Sequence, residues 1–114
     1  MLRFVPDPIP LSALENLARE TFGDMVKAVV DVDRRLMAIG AELHSDEEAA
    51  LIEDGSRQSD LWGINLYPSR SRSERIEFDS LINIRPSQGN RSRDVEDAAT
   101  RTAIAEIVDA LILE

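Results

Sequence analysis

Between a strand-like stretch and a helix-like one runs Arg85-Pro-Ser-Gln-Gly-Asn-Arg-Ser-Arg93, a dense series of hydrogen-bond donors. Arg85, Arg91 and Arg93 carry planar forks that suit carboxylate or phosphate, and Ser87, Gln88 and Asn90 add hydroxyl and amide groups. The run leads into Asp94 at an expected helix start, where backbone N–H groups favour anions. It lacks the Gly-x-x-x-x-Gly-Lys-Ser/Thr spacing of a nucleotide-binding loop. The chemistry it predicts is recognition of a small anionic ligand or an acidic protein partner, and this requires the three guanidinium groups to open on one concavity. The competing reading is structural, with the arginines paired to the chain's own surplus of acids.

A second set lies on two neighbouring strand-like segments. Asn65 and Tyr67 alternate with Trp62, Ile64 and Leu66, while Glu77, Asp79, Asn83 and Arg85 alternate with Ile76, Phe78, Ser80 and Ile82. If the segments pair, six polar side chains share one face. Glu77 and Asp79 could then do acid–base work or hold a divalent cation, with Asn65, Asn83 and Arg85 placing a substrate. That is the alternative function, a small carboxylate-dependent enzyme, although an antiparallel sheet often leaves one face wet without any function. His44, the single histidine, stands near Asp46 and Glu48 and is expected to face solvent at a strand end. No Gly-x-Ser-x-Gly elbow accompanies it, so Ser-His-Asp catalysis is not indicated. The chain has no cysteine, which removes thiolate nucleophiles, thiolate metal sites and disulfides together. No cofactor is expected, and one imidazole makes no multi-histidine metal site.

The elements that must position these groups belong to a chain of 114 residues, enough for one core, and a single domain over 1–114 is expected. Apolar residues are 43% and charged residues 31%, the balance of a globular chain, and no apolar run approaches the length of a membrane-spanning helix. The net charge is −9, which disfavours nucleic acid and anionic lipid as partners. Within that acidity residues 57–93 form a basic island of seven arginines against four acids. An acidic chain can also neutralise a basic protein, so a regulatory role such as that of an antitoxin is a third reading. The first residues lack a secretory h-region, which predicts a cytoplasmic protein.

Three prolines at 6, 8 and 10 predict an extended lead-in, after which Ser12-Ala-Leu-Glu15 reads as a capping box and Leu14, Leu17, Ala18 and Phe22 as one helix face closed by Gly23. From Met25 the apolar period changes to two. A turn at Asp33-Arg34 pairs Val30 with Met37, Ala28 with Ile39 and Val26 with Ala41. A short helix capped by Ser45 or Asp46 follows and ends by Asp54-Gly55. Leu61–Tyr67 and Ile76–Ile84 read as a second hairpin, joined by a mobile polar loop after Pro68. Trp62, the single tryptophan, is expected to pack in the core under a helix. A last helix of about five turns, capped by Asp94, carries a stripe of Ile104, Ile107, Val108, Leu111 and Ile112. With Ala103 and Leu113 this face is wider than one small sheet covers, which predicts a homodimer. The fold class is α+β: a four-stranded, mainly antiparallel sheet of two hairpins, with the N-terminal, short middle and long C-terminal helices on one face.

The strings Asp-Leu-Trp-Gly-Ile-Asn-Leu-Tyr-Pro (60–68) and Glu-Phe-Asp-Ser-Leu-Ile-Asn-Ile-Arg-Pro-Ser-Gln-Gly-Asn-Arg-Ser-Arg (77–93), with Val-Glu-Asp (95–97), resemble a family of small prokaryotic proteins of unknown function. The stretch from Phe22-Gly23-Asp24 to His44-Ser-Asp-Glu-Glu48 is similar to it as well. The resemblance implies no catalytic residue.

Overall fold

A computed structural model describes all 114 residues. The hairpin read from the period-2 pattern is its centre. Strand β3 (Val26–Asp31) pairs antiparallel with β4 (Leu36–Ile39), with Ala28 opposite Ile39 and Val30 opposite Met37 as the pattern predicts. The Asp31 carboxylate caps the turn by accepting from the Asp33 and Arg34 N–H groups, each at 2.9 Å. Strand β5 (Leu61–Leu66) joins the other side of β3, antiparallel, with Lys27 opposite Asn65 and Val29 opposite Gly63.

The sheet has five strands rather than four. Residues before the prolines, Arg3–Val5 (β1), keep their N–H groups and pair antiparallel with β4, giving with Ile76–Glu77 (β6) the order β1-β4-β3-β5-β6. At the opposite edge, β6 is only Ile76–Glu77, not the long strand 76–84. After Glu77 side chains take over the backbone pairing. Asn83 donates from Nδ2 to the Gly63 carbonyl (2.9 Å) and accepts at Oδ1 from the Gly63 N–H (2.8 Å), so its amide occupies the place of a partner strand. Ser80 Oγ accepts from the Ile82 N–H at 3.3 Å and turns Leu81–Asn83 into a 3-10 turn. Strand β2 (Ile9–Pro10) lies apart from this sheet, parallel to the C-terminal β7 (Ile112–Leu113).

Helices cover both faces of the sheet, a correction to the one-faced arrangement. α1 (Leu11–Glu20) and α3 (Ala98–Leu111) bury Leu14, Ala18, Ile104, Ile107 and Val108 against Val26, Ala28, Val30, Met37, Trp62, Ile64 and Leu66. α2 (His44–Glu53) lies on the other side, where Leu51 packs with Val29, Ala38 and Leu61. The central strand therefore buries Val26, Ala28 and Val30 on one face and Val29, between Lys27 and Asp31, on the other. The broad C-terminal stripe is filled within one chain: Ile104, Ile107, Val108, Leu111 and Ile112 are buried and only Leu113 of the terminal pair is exposed. No helix is long and apolar enough to cross a membrane.

Helix starts differ from those expected. α1 begins at Leu11 after Pro10, with no side-chain cap, so Ser12 and Glu15 form no capping box; Pro10 at the boundary already presets the backbone. α2 begins at His44 without a side-chain cap from Ser45 or Asp46. α3 starts three residues later than expected and is capped by Asp97, not Asp94, with Oδ2 accepting from the Thr100 N–H at 2.9 Å. It is about four turns long. The polar run after Pro68 is anchored: Arg75 is buried and donates to the Arg70 carbonyl and to Glu114 Oε1 at 2.7 Å.

Gly63 permits the close cover of β5. A Cβ there would stand 2.6 Å from both Cβ and Oγ of Ser80 and 3.1 Å from Ile82 Cγ1. Gly63→Ala is expected to cost about 1–3 kcal/mol by overpacking, read as a lower denaturation midpoint at unchanged slope; a midpoint equal to wild type would show that the 80–83 turn yields freely.

Candidate functional site

The donor-rich run does not form an open anion site. Pro86–Gln88 makes a 3-10 turn, Gly89 adopts φ +79°, and Arg85 and Asn90 exchange backbone hydrogen bonds across it. Arg85 turns inward. Its guanidinium donates to the carbonyls of Ile82 (3.0 Å), Gln58 (2.9 Å) and Leu61 and to Gln88 Oε1, stacks over Trp62, and lies 3.7 Å from Glu48. Arg93 pairs with Asp79 at 2.6 Å, and Arg91 is exposed. The three guanidinium groups do not open on one concavity. Burial of Asn90 reflects its own tie-points: Nδ2 donates to the carbonyls of Asn83, Ser92 and Asp94, and Oδ1 accepts from the Glu96 N–H. Ser87 is exposed and Gln88 reaches the Ser59 carbonyl.

An anion does sit on this loop, and it is the chain's own. Glu96 Oε2 accepts from the N–H groups of Arg91 (2.9 Å) and Ser92 (2.8 Å) and from Ser92 Oγ (2.6 Å). The Ser92 hydroxyl and these two N–H groups hold the Glu96 carboxyl below its ordinary range. The structural reading of the run therefore accounts for most of its donors.

The second set is only partly brought together. Asn65 and Glu77 are cross-strand partners, and Asn65 Nδ2 donates to Glu77 Oε1 at 2.8 Å and to the Asp79 carbonyl at 3.3 Å. Tyr67 donates its hydroxyl to the same Glu77 oxygen at 3.2 Å; burial and the Glu77 carboxylate raise its phenol. Each acid is thus committed, Glu77 to two donors and Asp79 to Arg93, and they form no bare carboxylate pair. Asn83 and Arg85 are fully engaged with backbone groups under the sheet. Nowhere do three His, Asp or Glu side chains gather as metal ligands.

What the fold assembles instead is a cavity of about 240 Å³ between the start of α2, β3, β5 and the segment 79–82. Its polar lining includes Lys27, His44, Asn65, Asp79, Ser80 and Arg93, with Leu43 and Leu81 among its apolar residues. His44 is buried, 8% exposed, where a solvent-facing ring was expected. α2 carries it back over β5 instead of leaving it at a strand end. Its Nε2 donates to the Ile64 carbonyl at 2.8 Å and its Nδ1 lies 2.9 Å from Ser80 Oγ. Burial lowers its basicity, only partly opposed by the Ile64 carbonyl, so the ring is neutral at physiological pH. Lys27, the only lysine, takes part in none of the ion pairs of the chain, and its Nζ lies over the Phe22 ring, 5.2 Å from the centroid.

Asn65 carries the unusual feature. The residue is 7% exposed, both of its N–H donors are used, and its Oδ1 is buried with no hydrogen-bond partner. Exchanging the two amide atoms would turn the carbonyl oxygen toward the Glu77 carboxylate and the Asp79 carbonyl, acceptor against acceptor, so the orientation is determined by its partners.

Sequence reasoning placed Asn65 and Asp79 on one polar face and missed Lys27, His44 and Ser80. The signals were present as exceptions to pattern: one lysine inside an apolar strand, and one serine at an inward position of the series Ile76, Phe78, Ser80, Ile82. No curated protein and no solved structure is detectably similar to the chain. One family matches almost its whole length, residues 3–111, and the protein therefore belongs to the family described as protein of unknown function (DUF5674).

Proposed function

We propose that this protein binds a small anionic molecule in the cavity between α2 and β5. The observation that carries the reading is the Asn65 Oδ1, buried and without a donor, beside a lysine that has no acid partner. A buried acceptor left unmet costs on the order of 1–3 kcal/mol, so a ligand that supplies a donor recovers a real penalty. Lys27 stands across the ladder from Asn65 and offers a positive charge to a carboxylate or phosphate, while Arg93 and Asp79 largely neutralise each other. The ligand class is therefore a compact carboxylate or phosphate that also bears a hydroxyl, amino or amide N–H donor. The size of the cavity favours a metabolite over a polypeptide.

Titration of 15N-labelled protein with glycolate, alanine and glycerol phosphate tests this. Saturable shifts are expected at the Asn65 side-chain amide, His44 and Ser80, and Lys27→Met is expected to weaken binding by about tenfold or more, the worth of one charge-assisted hydrogen bond. Shifts centred on Arg91–Arg93 would place the anion on the loop, and an unmoved Asn65 amide with every ligand would sink the reading.

A further inference from the structure

Ser80 and His44 have a relation that ligand binding alone does not use. The Ile64 carbonyl can only accept, so His44 Nε2 carries the ring proton and Nδ1 presents a lone pair. The Ser80 hydroxyl, 2.9 Å away, must therefore donate to Nδ1. Serine, imidazole and an orienting acceptor stand in line, with a backbone carbonyl in the place that a carboxylate takes in Ser-His-Asp sites; such arrangements are recognised by geometry and roles, not by position in the chain. Ser80 is 1% exposed and its Oγ also accepts from the Ile82 N–H at 3.3 Å, so the 80–82 turn must shift for an acyl carbon to reach Oγ.

We infer that Ser80 is a nucleophile activated by His44, and that the cavity turns over small esters or thioesters whose anionic group is held by Lys27. This rests on the cavity being the ligand site. In the first step the Ser80 proton passes to His44 Nδ1 as Oγ bonds to the acyl carbon and the carbonyl electron pair moves to oxygen. Collapse of that intermediate breaks the bond to the alkoxide or thiolate, which leaves with the proton from Nδ1. Water then gives a proton to Nδ1 and adds to the acyl carbon, and the second collapse returns that proton to Ser80 and frees the acid. Atoms balance with water as the only co-reactant.

His44 must be neutral for the first step. The charges facing it are Lys27 from β3, and Asp79 and Arg93 from the segments over β5; the two cations oppose its protonation and Asp79 favours it, with burial the largest influence. Reactivity is expected to hold through neutral pH and to fall only as the solution is acidified past the ordinary histidine range.

The wild-type chain treated with methanesulfonyl fluoride, a compact serine reagent, and then mapped by peptide mass spectrometry decides the matter without relying on a variant that must fold. The expected result is a sulfonyl adduct on Ser80, slowed by glycolate and by acidification. The same sample titrated with glycolate reports the Asn65 amide. Shifts at Asn65 with no adduct on Ser80, or adducts only on exposed serines such as Ser69 and Ser87, overturn the nucleophile and leave the cavity as a binding site. Loss of both the shifts and the adduct overturns both readings.

Discussion

Glu47→Gln is expected to stabilise the protein by about 3 kcal/mol near pH 7 and by close to nothing near pH 4. Glu47 has no exposed surface; its Oε2 accepts from the Ala41 N–H at 3.1 Å and its Oε1 has no partner. Burial pushes its carboxyl up to about 9 from an ordinary 4.5, against the lowering influence of the Ala41 N–H, Lys27 and the N-terminal amine, with Asp46 adding to the rise. The folded chain thus keeps a proton that the unfolded chain releases. Stability from this group is complete below the unfolded value of 4.5 and is lost progressively as pH rises toward about 9. Glutamine keeps the shape and the acceptor for Ala41 while removing the titration. Urea unfolding of both proteins at about pH 5, 7 and 8.5 should show a gap that widens with pH; a constant gap would show that Glu47 ionises freely in the fold.

Arg85→Leu is expected to cost about 3–5 kcal/mol, the range for removing one partner from a buried charged cluster. The side chain is 9% exposed, lies over the Trp62 ring at 4.8 Å, donates to three backbone carbonyls and to Gln88, and sets its charge 3.7 Å from Glu48. Leucine would remove the guanidinium donors from the Ile82 and Leu61 carbonyls and the positive charge beside the Glu48 carboxylate. Arg85→Lys should recover less than half of the loss, because a point charge cannot reach a set of acceptors spaced for a planar fork. Equilibrium unfolding of the two variants provides the comparison. A cost below about 1 kcal/mol for the leucine variant, against the range above, would mean that water replaces the guanidinium without difficulty and that the loop is not held by it.

The two variants also separate fold from site. Arg85 belongs to the cluster that ties the 85–93 loop to β5 and Glu48, and it does not line the cavity between α2 and β5. An Arg85→Lys protein that remains folded should therefore keep the response of the Asn65 amide to glycolate. The same arginine-rich run that reads as a ligand loop in the sequence is, on this account, the fastening that lets Asn83 and Ser80 cover Gly63.

Where local chemistry was enough, the pattern was legible. The β3–β4 register follows from alternation, since a shift of one residue would turn Lys27 and Asp31 into the α1/α3 core in place of Ala28 and Val30, and the turn at Asp33-Arg34 fits the same pairing. The α3 stripe at Ile104, Ile107, Val108 and Leu111 was legible for the same reason, as was Gly23 closing α1 with φ +97°. The misreadings share one cause. Residues 76–84 alternate as a strand does, yet Asn83 meets the β5 backbone with its side chain, and alternation does not report which group makes a hydrogen bond. Val29, Ala38, Leu51 and Leu61 marked a second apolar face, but deciding that α2 covers it required knowing where the chain goes after Gly40.

The candidate site shows the same division. By itself the sequence determined the inventory and the local faces: one lysine, one histidine, a basic island of arginines in an acidic chain, and Asn65 and Glu77 on the polar side of paired strands. Only the tertiary structure decided convergence. It brought His44 to Ser80 across 36 positions and to Ile64 across 20, set Lys27 beside Asn65, and sent Arg85 and Arg93 to separate acids. Periodicity is a property of neighbours along the chain and fixes which way a side chain points, whereas a binding site depends on which distant segments the burial of apolar surface forces together.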